Sequence, residues 1–156
     1  MTKSTPIAHC PECGGQFTAE ETCADRYHTC LALEYTDPAY YGPVHHLTVL
    51  AYMLQHPSRL SANGWQAMRN LLDRFLSEDI SPTRMRQLLQ HQVKNKSFSM
   101  VKGEPAVQPT WVWSKTVMDV RLADAGTYCA DVHAWAEAVH HDIQQADLTG
   151  FLQKKS

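Results

Sequence analysis

The sequence has no apolar run near the roughly 20 residues that a membrane-spanning helix requires. It has no strong excess of either charge. Fourteen Lys and Arg stand against 16 Asp and Glu, and the formal net charge of −2 sets up no general field for nucleic acid or an anionic membrane. Charged residues are 19% of the chain and hydrophobic residues 44%, which excludes a disordered tail and supplies material for a core. There is no internal repeat and no low-complexity segment. There is also no P-loop, GxSxG, HExxH or dinucleotide fingerprint, so the common nucleotide-binding, serine-hydrolase and zincin signatures are missing. The opening MTKSTPIAHC lacks the apolar stretch of a secretion signal, and the cytoplasm is the expected compartment.

What the sequence does have is cysteine and histidine. The five cysteines are Cys10, Cys13, Cys23, Cys30 and Cys129, and nine histidines accompany them. An odd number of cysteines without a secretion signal argues against a disulfide framework and for metal binding or redox chemistry.

The length predicts one domain over 1–156. Residues 1–9 read as a flexible start, 10–60 as a metal loop plus helical hairpin, and 61–147 as further helices. A first helix is expected over 20–36. TDPAYYGP (36–43), with two prolines and a glycine, reads as a connection. A nearly all-apolar central helix then covers 44–56 and ends before Pro57. A third helix fits 63–78, and Ser81-Pro82 signals a fourth over about 82–94. Residues 97–115 look irregular, with a short extended piece at Trp111–Trp113 in which one Trp packs inward and the other is exposed. Thr116 and Asp119 form a capping-box pattern that opens a short helix, interrupted at Gly126. The last helix, about 127–146, carries the stripe Tyr128, Val132, Trp135, Val139 and Ile143. The fold class is mainly α, a helical-bundle-like domain with an N-terminal zinc-binding loop.

Cys10-Pro-Glu-Cys13-Gly14 is the strongest chemical signal. Two thiolates separated by two residues converge on one ion, and the following glycine tolerates the turn that wraps it. A redox pair would need to open a helix in a βαβ context, which GGQF does not resemble; a pair of free thiols is the remaining alternative. Cys23 and Cys30 are seven residues apart, about 10 Å along a helix, so only one of them can join the site. Cys23 is the nearer. If the first two helices pack antiparallel, facing residue numbers have a constant sum. A register that sets Glu34 against His45 also sets Tyr27 against Tyr52 and Cys23 against His56. The predicted ligands are therefore Cys10, Cys13, Cys23 and His56, holding one Zn2+ per chain. His45, Cys30, His28 or a water are the alternatives for the fourth position.

These residues carry a resemblance. CPxCG, Cys23 with Tyr27, Glu34-Tyr35, Asp37-Pro38-Ala39-Tyr40 and V-H-x-L-T-V-x-x-Y-x-x-Q-H-P (44–57) resemble an uncharacterised family of small bacterial proteins, identified only as a domain of unknown function. The likeness is good over about 10–60 and looser beyond, where TVMDV (116–120) and Val132, Trp135 and Ala136 echo it. It favours Cys23 over Cys30, marks both His45 and His56, and implies no activity. A second Trp typical of the last helix is replaced here by His140 and His141.

Two weaker features remain. Cys129, His133 and His140 share a helix flank that suits a second ion or, more simply, a half-buried helix side. Arg84, Arg86, Lys94, Lys96 and Lys102 accumulate over 84–102, a face for a phosphate backbone or a solvated surface. The leading functional expectation is a zinc-stabilised module that contacts an unknown macromolecular partner and no membrane. The alternatives are a metal-dependent hydrolase with an open zinc position, served by Glu34 or His45 as base, and a nucleic-acid binder. Enzymatic activity is left open.

Overall fold

The computed structural model describes residues 8–17, 21–78, 80, 81, 83, 84, 86–88, 90 and 103–148. It is helical, with no strand among the described residues. Helix α1 runs over Cys23–Thr36, α2 over Pro38–Gln55 and α3 over Ala62–Glu78. The described residues between 83 and 90 belong to α4, and α5 is Ala125–Leu148. Single 3-10 turns lie at Pro57–Arg59 and Val117–Asp119. None of the described helices is long and apolar enough to cross a membrane.

Helix α1 starts where Thr22 and Asp25 form a reciprocal capping box, each side chain accepting the other's backbone N–H at 3.2 and 3.0 Å. It stops at Asp37, and α2 starts at once. The expected connection over 36–43 is therefore a correction: it shrinks to Asp37. That residue's carboxylate accepts the Tyr40 N–H at 3.2 Å, and Pro38 occupies the first helical position, where no N–H is needed. Pro43 sits inside the helix, close enough to its start for one missing bond to be tolerated.

Helix α2 is the centre of the fold and packs against α1, α3 and α5. Val44, Leu47, Leu50, Ala51 and Leu54 are buried around its circumference. On α5 the expected stripe of Tyr128, Val132, Trp135, Val139 and Ile143 is wholly buried. Each such side chain contributes about 1.5–3 kcal/mol of transfer free energy as an upper estimate. The buried Gln55 side chain is satisfied at both ends: it accepts the Trp135 indole N–H at 3.0 Å and donates to the Lys115 carbonyl at 2.7 Å. The Trp65 indole donates to the Leu54 carbonyl at 3.0 Å.

Residues 103–115 are irregular, apart from a bridge between Ser61 and Pro105. The Trp pair there is a second correction. Trp113 is buried and Trp111 half-buried, their rings 5.2 Å apart, while Val112 between them is the exposed residue. Pairing of the two indoles buries Trp113 and half-covers Trp111. A third correction concerns Gly126, which lies within the first turn of α5 instead of interrupting a helix. The Thr116–Asp119 capping box is present and opens a single 3-10 turn. Residues 1–7 of the expected flexible start, and Lys94, Lys96 and Lys102 of the basic face, lie outside the described residues.

Candidate metal centre

The loop at 10–15 is shaped by its own backbone. Gly14 N–H donates to the Cys10 carbonyl and Cys10 N–H to the Gly15 carbonyl, both at 2.9 Å. Gly14 has φ of +77°, a conformation that costs a residue with a Cβ about 1–2 kcal/mol. The turn aims amides at sulfur: Cys13 N–H points at Cys10 Sγ (3.5 Å) and Gly15 N–H at Cys13 Sγ (3.3 Å). A Cβ on Gly15 would lie 3.1 Å from Thr116 Oγ1 and 3.2 Å from Cys13 Sγ, so a glycine there lets the loop press against the 3-10 turn at 117–119.

The loop meets the helical hairpin. Each facing pair of the expected antiparallel register is in contact: Cys23 Sγ lies 3.4 Å from His56 Nε2, Tyr27 and Tyr52 stack at 3.7 Å, and Glu34 Oε1 lies 2.7 Å from His45 Nδ1. Cys10 Sγ lies 3.6 Å from His56 Nε2. The ligand atoms of Cys10, Cys13, Cys23 and His56 all fall within 4.8 Å of one another, and all four residues are buried. This cluster could hold a metal ion. Among the described residues no second cluster of this kind occurs. On the α5 flank, His133 instead pairs with Glu137 and His140 with Asp73.

Distance decides what the cluster suits. A tetrahedral ion with bonds near 2.3 Å to sulfur and 2.0–2.1 Å to nitrogen sets S···N edges of about 3.5 Å. The two S···N distances of 3.4 and 3.6 Å bracket that value. His56 is also oriented for ligation. Its Nδ1 lies 2.7 Å from the Tyr52 carbonyl, which can only accept, so Nδ1 carries the hydrogen and Nε2 presents its lone pair to the sulfurs. The Tyr52 ring stacks on the imidazole at 3.9 Å. Burial holds His56 below the ordinary imidazole range, which keeps the ring neutral. Burial pushes the Cys23 thiol up to about 11 and the Cys13 thiol higher still, with the Cys10 sulfur adding to both. Cys13 and Cys23 are thus poor anions alone; a cation beside them reverses that balance.

The expected alternatives for the fourth position lie elsewhere. Cys30 is fully buried further along α1, beside Tyr128. His45 belongs to a separate network in which buried Glu34 accepts from His45, from the Thr48 hydroxyl at 2.6 Å and from the Tyr128 hydroxyl. Sequence reasoning does not find Thr48 or Tyr128. The chain separation of Tyr128 from Glu34 hides that contact, whereas Thr48 is marked by its place one turn after Val44. Nor does it find Glu12, whose carboxylate accepts the Ser58 N–H at 2.9 Å and ties the loop to the 3-10 turn after His56.

A family model described as "Family of unknown function (DUF5946)" matches residues 8–144. No curated protein and no solved structure matches the chain.

Proposed function

We propose, for a chain that belongs to this family of unknown function, that Cys10, Cys13, Cys23 and His56 hold one structural zinc ion and that the protein is a zinc-stabilised helical module acting through macromolecular contacts. The observation that carries the reading is the convergence of three sulfurs and one imidazole nitrogen within 4.8 Å of one another, with two of the S···N distances at tetrahedral spacing. Soft thiolates in a tetrahedral set with one imidazole select zinc over magnesium, calcium or manganese, which prefer oxygen. Four protein ligands fill the shell and leave no position for substrate, which is the pattern of structural sites.

The hydrolase reading is less well supported. Eleven residues separate Cys23 from Glu34 on α1, and His56 from His45 on α2. At 1.5 Å per residue that is roughly 16 Å, out of reach for a base serving the ion. A nucleic-acid role draws only on exposed Arg84 and Arg86 among the described residues. Thiolate ligation fits a reducing compartment, and so the proposed location is the cytoplasm.

Held in this way, the ion joins the N-terminal loop, the start of α1 and the end of α2. The purified chain is expected to carry about one zinc per molecule by elemental analysis. Finding no zinc, or a different metal at that stoichiometry, would refute the proposal.

A further inference from the structure

A cavity of about 310 Å³ opens at the other end of the α1–α2 hairpin, lined by Glu34, Tyr35, Pro38, His45, His46 and Arg86 among others. It lies roughly 16 Å along the helices from the cysteine cluster, so its chemistry is independent of any ion held there. Its one acid among the described residues is withdrawn: Glu34 is 4% exposed and both its oxygens accept internal donors, from His45, Thr48 and Tyr128. Among the described residues, the charged or titratable nitrogen groups on its wall are His45, His46 and Arg86.

Burying a carboxylate is costly unless donors surround it. Here the donors do so, and one of them is the half-exposed His45, whose side chain is 37% accessible. The bond to Glu34 uses Nδ1 and fixes the plane of the ring, so that Nε2 is the nitrogen with no hydrogen bond among the described residues. Arg86 is exposed, and among the described residues no carboxylate forms an ion pair with it. Tyr35 adds an aromatic wall that is 77% exposed. The volume is at the lower end of small-molecule sites. A planar guanidinium fork recognises two-oxygen anionic groups, a carboxylate or a phosphate alike.

We propose that this cavity binds a small organic oxyanion, with the Arg86 guanidinium and His45 Nε2 gripping the anionic group, Tyr35 flanking the organic body, and Glu34 acting as the positioning residue for the His45 ring. The test uses the full chain and NMR detection of the histidine ring nitrogens, titrated with benzoate, phenyl phosphate and, as neutral control, benzamide. Benzoate, phenyl phosphate or both are expected to shift His45 Nε2 saturably at millimolar concentration, with Nδ1 little moved, and benzamide is not. The two anionic arms tell a carboxylate site from a phosphate site. Arg86→Gln, an exposed change, should weaken binding by roughly tenfold or more. In Glu34→Gln the ligand should no longer act selectively on Nε2, a signature that loss of packing alone would not produce. If Glu34→Gln fails to fold, Arg86→Gln still decides the matter. No saturable shift with either anion, equal binding of benzamide, or unchanged affinity in Arg86→Gln would overturn the proposal.

Discussion

Cys23 Sγ lies 3.4 Å from His56 Nε2, although the two residues are 33 positions apart and sit at opposite ends of their respective helices in the chain. The contact exists because α1 and α2 run antiparallel with almost no connection between them. The Cys10–Cys13 loop closes over the same point. Anything that joins these sulfurs and this nitrogen therefore fixes the N-terminal loop to the hairpin.

Replacing one ligand should cost the fold dearly. For Cys10→Ser, the loss of about 3–5 kcal/mol expected from opening a structural metal site corresponds to a melting temperature lower by roughly 10–15 °C at this chain length. Calorimetry or circular dichroism would read it. An unchanged melting temperature would mean that the cluster is peripheral to stability.

The alkaline pH dependence should differ with and without metal. In the metal-free chain, burial raises the Cys23 thiol from 9.0 to about 11. A folded-state value raised above the unfolded one gives a contribution that is full below about pH 9 and disappears as pH rises towards 11. In the zinc-loaded chain the thiolates are already deprotonated, and stability should instead fall as pH falls and protons compete with the ion. Between about pH 9 and 11, denaturant midpoints should fall with rising pH in the chelator-treated chain and not in the zinc-loaded one; the same fall in both would contradict the assignment.

The Glu34 network should be separable from the metal. Tyr128→Phe removes one of three donors to a buried carboxylate and leaves the ring volume nearly intact. A loss of about 1–3 kcal/mol by urea unfolding is expected, with zinc content unchanged. Loss of zinc in this variant would show that the two ends of the hairpin are coupled.

Gly14→Ala tests the turn alone. Nothing lies within 4 Å of an added Cβ, so steric crowding is absent and only the positive φ opposes the change. The expected cost is about 1–2 kcal/mol, accompanied by weaker zinc retention against a chelator. A neutral result would mean that the loop has another conformation open to it.

Much of this arrangement is legible in the residues themselves. Helical spacing places Cys23, Tyr27 and Glu34 on one face and His45, Tyr52 and His56 on another, and one antiparallel register brings all three pairs together. The start of α2 is harder to read, because two prolines and a glycine look like punctuation. The physical signal is nevertheless present in Asp37-Pro38, a cap followed by proline at the first helical position. Ser81 likewise caps, its hydroxyl accepting the Arg84 N–H at 3.1 Å. Tyr128 reaching Glu34 is not legible, since helical periodicity says which face of α5 is buried and not which partner it meets. The same holds for Trp111 and Trp113, where alternation places the rings on opposite sides but a bend in the chain pairs them.

Whether three sulfurs and one imidazole nitrogen surround a single zinc ion is read most directly by X-ray absorption at the zinc edge of the purified full-length chain. The expected spectrum is that of a four-coordinate shell with three sulfurs near 2.3 Å and one nitrogen near 2.0–2.1 Å. A shell dominated by oxygen and nitrogen, or one with an open position filled by water, would rule that assignment out.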